Sequence, residues 1–93
     1  MSDGIAQFNH DTFVQLGPFG VTPHNVRAYF APNGTFKKRK LDDMRQIVNA
    51  INATTPLRLR KKRQSELKND YTQYVLQALT GAPPPEPPAP LPF

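Results

Sequence analysis

The chain has no cysteine, so it can build neither a disulfide framework nor a thiolate metal site. No stretch approaches the roughly 20 apolar residues that a membrane-crossing helix needs. The first residues show no basic segment followed by an apolar one, so no secretory leader is expected. An intracellular protein is expected on that basis, and the Asn33-Gly34-Thr35 and Asn52-Ala53-Thr54 triplets are discounted as glycosylation sites. Acidic residues number only seven and are scattered, and the two histidines, His10 and His24, have no ligand-like partners at useful spacing. Paired carboxylates, a glycine-rich phosphate loop and a nucleophile motif are all missing. The expectation is a non-enzyme with no catalytic residue, metal, cofactor or small-molecule substrate.

Proline, by contrast, is abundant and unevenly placed. Of 11 prolines among 93 residues, seven fall between Pro83 and Pro92. A segment of that composition cannot be a helix or an interior strand, so residues 82–93 are expected to be a disordered or polyproline tail. Its Pro-x-x-Pro spacing over 83–92 suits a proline-groove domain of the SH3 or WW type. Residues 1–21 are expected to be a flexible, partly ordered N-terminal segment. Its aromatic residues would lie over later helices, and Asp11 or Thr12 would cap a short turn. One small domain is left, over 22–81.

Within that domain two apolar stripes recur at helical spacing. Leu41, Met44, Ile47, Val48 and Ile51 form the first, and Leu67, Tyr71, Tyr74, Val75, Ala78 and Leu79 the second. The pattern predicts an all-α fold whose core is helix, extended loop, helix, with the two stripes buried against each other. Met44, Ile47, Val48, Ile51, Leu67, Tyr71 and Val75 are the candidate core. The first helix should start at Leu41, with Asp42 and Asp43 complementing its dipole. It should stop at Thr54-Thr55-Pro56, because a residue before proline avoids helical geometry. The second should start at Gln64 or Ser65, with Ser65 as N-cap, and end at Gly81. Upstream, Thr22-Pro23 predicts a short helix to Phe30 that buries Val26, Tyr29 and Phe30.

Charge is concentrated where the stripes meet. Residues 37–63 carry ten Lys or Arg against Asp42 and Asp43, a net +8, whereas the whole chain carries +5, so the remainder is net −3. Such a patch calls for a polyanionic partner. Alternation in Leu57-Arg58-Leu59-Arg60 would turn the leucines inward and aim Arg58, Arg60 and Lys62 outward. Lys37, Lys38, Arg39 and Lys40 form a second cluster, fit for nuclear import or secondary phosphate contacts.

The 41–79 stretch resembles the SAP module of PIAS-type SUMO ligases and of other chromatin and RNA-processing proteins. Leu41 to Val48 is similar to its first helix, Pro56-Leu57 to the step that leaves it, and Gln64-Ser65-Glu66-Leu67 to the start of its second helix. The loop lacks the family's glycine and is longer and more basic. The resemblance implies a helix–extended loop–helix that binds DNA, with the loop and the start of the second helix at the interface. Arg58, Arg60, Lys61, Lys62, Arg63, Ser65 and Lys68 are the positions that would carry this. The expected function is therefore nucleic-acid binding in the nucleus, with duplex DNA favoured and RNA possible. The alternatives are an adaptor acting through the proline tail, or a virion- or ribosome-associated protein that neutralises nucleic acid.

Overall fold

In a computed structural model, which describes residues 4–81, the chain is all-helical, with no strand among the described residues. A 3₁₀ turn at Gly4–Gln7 precedes α1 (His10–Leu16), and a second 3₁₀ turn, Gly17–Phe19, follows it. Two single-turn helices come next, α2 (Val26–Tyr29) and α3 (Thr35–Lys38). The long helices α4 (Leu41–Thr54) and α5 (Lys68–Thr80) complete the fold. Among the described residues no helix is long and apolar enough to cross a membrane. The proline-rich tail expected over 82–93, with its proline-groove motif, lies outside the described residues.

Local chemistry explains the helix ends. Lys40 is the extended residue before α4, and Asp42 and Asp43 occupy the first turn, where the helix dipole favours anions. Thr55 leaves the helix in extended geometry (φ −133°, ψ 163°), as Pro56 requires. Gly81 closes α5 at φ 70°, a conformation that costs glycine nothing, and its N–H donates to Gln77 O at 2.9 Å. Thr22 does not cap a helix that starts at Pro23: α2 begins only at Val26, with Asn25 as its N-cap. Thr22 closes the turn before it, its Oγ1 accepting from Asn25 N at 3.2 Å and its own N–H donating to Asn25 Oδ1 at 2.8 Å. The cap of α1 is Asn9, with Thr12 as its reciprocal partner at 3.1 Å in each direction.

A single apolar cluster fills the interior. Met44, Ile47, Val48 and Ile51 of α4 and Tyr71, Val75, Leu76 and Leu79 of α5 are buried in it. Phe30 is its aromatic hub, with ring centroids 5.1, 5.3 and 6.0 Å from Tyr29, Phe36 and Phe8. Each such side chain contributes about 1.5–3 kcal/mol by leaving water.

Three features depart from the sequence expectation. First, residues 4–21 belong to the domain. α1 packs on α4, and the Gly4–Gln7 turn packs on α5. Thr12, fully buried, donates its hydroxyl to Thr54 Oγ1 at 2.8 Å, and Asn9 Nδ2 donates to Thr54 O at 2.7 Å. These bonds tie the start of α1 to the end of α4, and Phe8 and Phe13 pack against the core as the expectation for this segment had it. Second, the stripes of α4 and α5 meet mainly through side chains, as where Thr72 Oγ1 reaches Met44 Sδ at 3.6 Å. The bulky Phe30 and Phe36 complete the core around them. Third, α5 begins at Lys68 rather than at 64 or 65, and Leu67 is 69% exposed rather than in the core. Glu66 is the cause: its side chain turns back along the loop.

Candidate nucleic-acid interface

The segment between α4 and α5 has no helix or strand of its own, and side chains of the two flanking helices pin its backbone. Asn52 of α4 accepts from Leu59 N at 2.7 Å and donates to Leu59 O at 2.8 Å. Tyr74 Oη accepts from Arg60 N at 3.1 Å, and the Tyr71 hydroxyl donates to Arg60 O at 2.8 Å. Four side-chain bonds thus replace the backbone ladder that an extended segment would otherwise lack. Leu59 is buried beneath them. Arg58 takes φ 51°, the one non-glycine residue at positive φ among the described residues. That kink turns the chain between Leu57 and Leu59 without the glycine that the SAP resemblance would supply. Its backbone cost is about 1–3 kcal/mol.

Arg60 is the knot of the loop. It forms a two-pronged pair with Glu66, Nη1 to Oε1 at 2.8 Å and Nη2 to Oε2 at 2.6 Å. Its guanidinium lies 4.2 Å from the Tyr74 ring centroid and 5.7 Å from that of Tyr71. Glu66 Oε1 also accepts from Arg63 N at 3.1 Å, which closes the turn before α5. The hydrogen bonds from Arg60 hold the Glu66 carboxyl down at about 2, against an ordinary 4.5. The same bonds raise Arg60, and burial raises the Tyr71 phenol. Arg60 is therefore not an outward cation, contrary to its expected role. The alternation rule holds for Leu59 and fails for Arg60, because a carboxylate and two rings converge on it.

The depressed Glu66 carboxyl gives a pH prediction. A lowered folded pKa contributes stability that is complete above the unfolded value near 4.5 and is lost as pH falls through about 2. A carbon-detected NMR titration should find the Glu66 carboxyl midpoint near 2, with the Tyr74 ring shifts moving in step. A midpoint at the ordinary value would mean that the knot does not form in solution.

The remaining cations surround this knot. Arg58, Lys61, Arg63 and Lys68 are exposed and Lys62 is half-buried. Among the described residues none of the five side chains forms a salt bridge, although Arg63 helps to depress the Glu66 carboxyl. Lys62 Nζ donates to Arg63 O at 3.1 Å, which holds it beside the turn. Ser65 is exposed in that turn and does not cap α5. A hollow of about 270 Å³ lies beside the loop, lined by Arg45, Val48, Asn49, Lys61, Lys62 and Tyr71.

The second basic cluster divides in the same way. Arg39 is taken into the fold: its Nε donates to Tyr29 Oη at 3.0 Å, its Nη2 to Phe19 O, and its Nη1 lies 3.6 Å from Asp43 Oδ2. The bond to Tyr29 raises its pKa. Lys37, Lys38 and Lys40 stay exposed. In each cluster a tyrosine captures one arginine, while Lys37, Lys38, Lys40 and Lys61 stay exposed.

The sequence reading missed Asn52, the two tyrosine hydroxyls and Arg45. The tyrosines carried a signal, since a buried Tyr needs a partner for its hydroxyl and two of them on one stripe promise two hydrogen bonds. Arg45 and Asn52 lie on the polar side of α4, and nothing in their spacing marks them. No protein-family model, curated protein or solved structure matches the chain.

Proposed function

We propose that the chain is a non-enzymatic nucleic-acid-binding module that docks on the phosphate backbone of duplex DNA. The observation that carries this reading is the group of five cations that form no salt bridge among the described residues, Arg58, Lys61, Lys62, Arg63 and Lys68, on and beside a loop whose backbone is pinned at Leu59 and Arg60. A pinned loop loses little freedom on binding, so less of the electrostatic gain is spent on ordering it. Phosphate contacts of this kind position a protein and carry little sequence information. The order α4, extended segment, α5 also fits the SAP resemblance, with Arg60 now serving the loop rather than the ligand. Ser65, exposed in the turn before α5, would offer its hydroxyl to a phosphate. Lys37, Lys38 and Lys40 serve nuclear import or secondary contacts.

The test is a titration of the full chain, by fluorescence anisotropy, with duplex DNA, single-stranded DNA and duplex RNA of one sequence. Duplex DNA should bind best. With four to five cations engaged, log affinity should fall with log salt at a slope of about −4. No binding to any of the three at near-physiological salt would overturn the proposal, and tighter binding to RNA would redirect it.

A further inference from the structure

Resting on the duplex-binding reading, we infer that the hollow between α4 and the basic loop seats the terminal phosphate monoester of a nucleic-acid strand. Arg45 and Asn49 stand one turn apart on α4 and so share a face. Lys61 and Lys62 close the hollow from the loop, and Val48 and Tyr71, both buried, form its floor. Among the described residues three cations and an amide line it, and no carboxylate does. Another broad depression provides a contrast. It is lined by Gln15, Phe19, Gln46, Asn49, Ala50 and Ala53, with no cation among the described residues that line it.

Shape and charge together select the ligand. Phosphates inside a duplex backbone are diesters with one charge each, strung along a continuous ridge that crosses a recess without entering it. A strand end can enter. Its monoester carries a charge of about −1.5 to −2 at neutral pH and three strong acceptor oxygens. The three cations that line the hollow match that charge, and the flat guanidinium of Arg45 can grip two oxygens at once. The hollow's 270 Å³ equals the liquid volume of about nine waters. That is room for a phosphate with its sugar attached, the sugar resting on Val48 and Tyr71.

The experiment compares two duplexes of one sequence, one with 5′-phosphate ends and one with 5′-hydroxyl ends. The phosphorylated duplex should bind about tenfold tighter, the yield of one good charge-assisted contact. Arg45→Ala should erase this preference and leave the affinity for the 5′-hydroxyl duplex within about twofold. Arg45 is exposed, so the variant should fold, and Arg45→Lys should restore part of the preference. A deoxynucleoside 5′-monophosphate, added as competitor, should abolish the preference while the 5′-hydroxyl duplex stays bound. Equal affinity of the wild-type chain for both duplexes overturns the inference and leaves duplex binding intact. So does a preference that survives Arg45→Ala or the competitor. If neither duplex binds, the duplex-binding reading falls and the inference falls with it.

Discussion

Phe30→Ala is expected to destabilise the domain by about 3–5 kcal/mol, the range for truncating a buried aromatic. Phe30 is fully buried and its ring meets those of Phe8, Tyr29 and Phe36, so no neighbour can collapse into the space without breaking another contact. At about 0.05–0.15 kcal/mol per residue, a fold of this size holds only about 4–12 kcal/mol. The variant should therefore unfold at a much lower urea concentration, or be unfolded at 37 °C. Leu67→Ala is the matched control, expected to change stability by less than about 0.5 kcal/mol because the side chain is exposed. Urea titration followed by circular dichroism measures both. Comparable losses at the two positions would mean that the start of α5 is packed in solution.

The second large effect is on binding. Replacing Lys61 and Lys62 together by Ala should weaken duplex DNA binding for all sequences alike and reduce the salt slope by about two. Between 50 and 200 mM salt the double variant should lose affinity less steeply than the wild-type chain, as two fewer counterions are released. Lys37 and Lys38, replaced in the same way, are the control for charge without the loop. A loss confined to the Lys37/Lys38 variant would move the interface to the other cluster and end the SAP-type assignment.

Much of this fold could be read from residue spacing. The stripe of α4, its stop before Pro56 and the glycine that ends α5 are local features, set by neighbours within four residues. The second stripe extends by spacing one turn further than the helix does. Leu67 has the right spacing, but Glu66 is drawn back to Arg60, six residues earlier, and the helix cannot begin until that turn is complete. The basic loop is legible as charge density, yet which cations remain outward is not. Arg39 and Arg60 look like their neighbours in sequence, and only the folded chain brings Tyr29 to one and Tyr74 to the other. The N-terminal segment was hidden for a similar reason. Ile5, Phe8, Phe13 and Leu16 fit no single period, because they come from a 3₁₀ turn, a linker and a helix that face the core in different directions.

The packing of the first turn on α5 bears on how the molecule is made. Gly4 sits so close to the last helix that a Cβ there would fall 2.5 Å from Ala78 O and 3.0 Å from Leu79 Cα. Gly4 and Leu79 are 75 positions apart. At about 5–20 residues per second of translation, the first turn waits about 4–15 s for the surface it covers. The clamps on Arg60 are also late, since Tyr71 and Tyr74 follow the loop they hold. A chain released before α5 would expose Ile5 and carry its cations on an unshaped strand, open to proteolysis. The pinned shape of the loop thus forms only after α5 has been made, because both tyrosines that hold Arg60 lie in that helix.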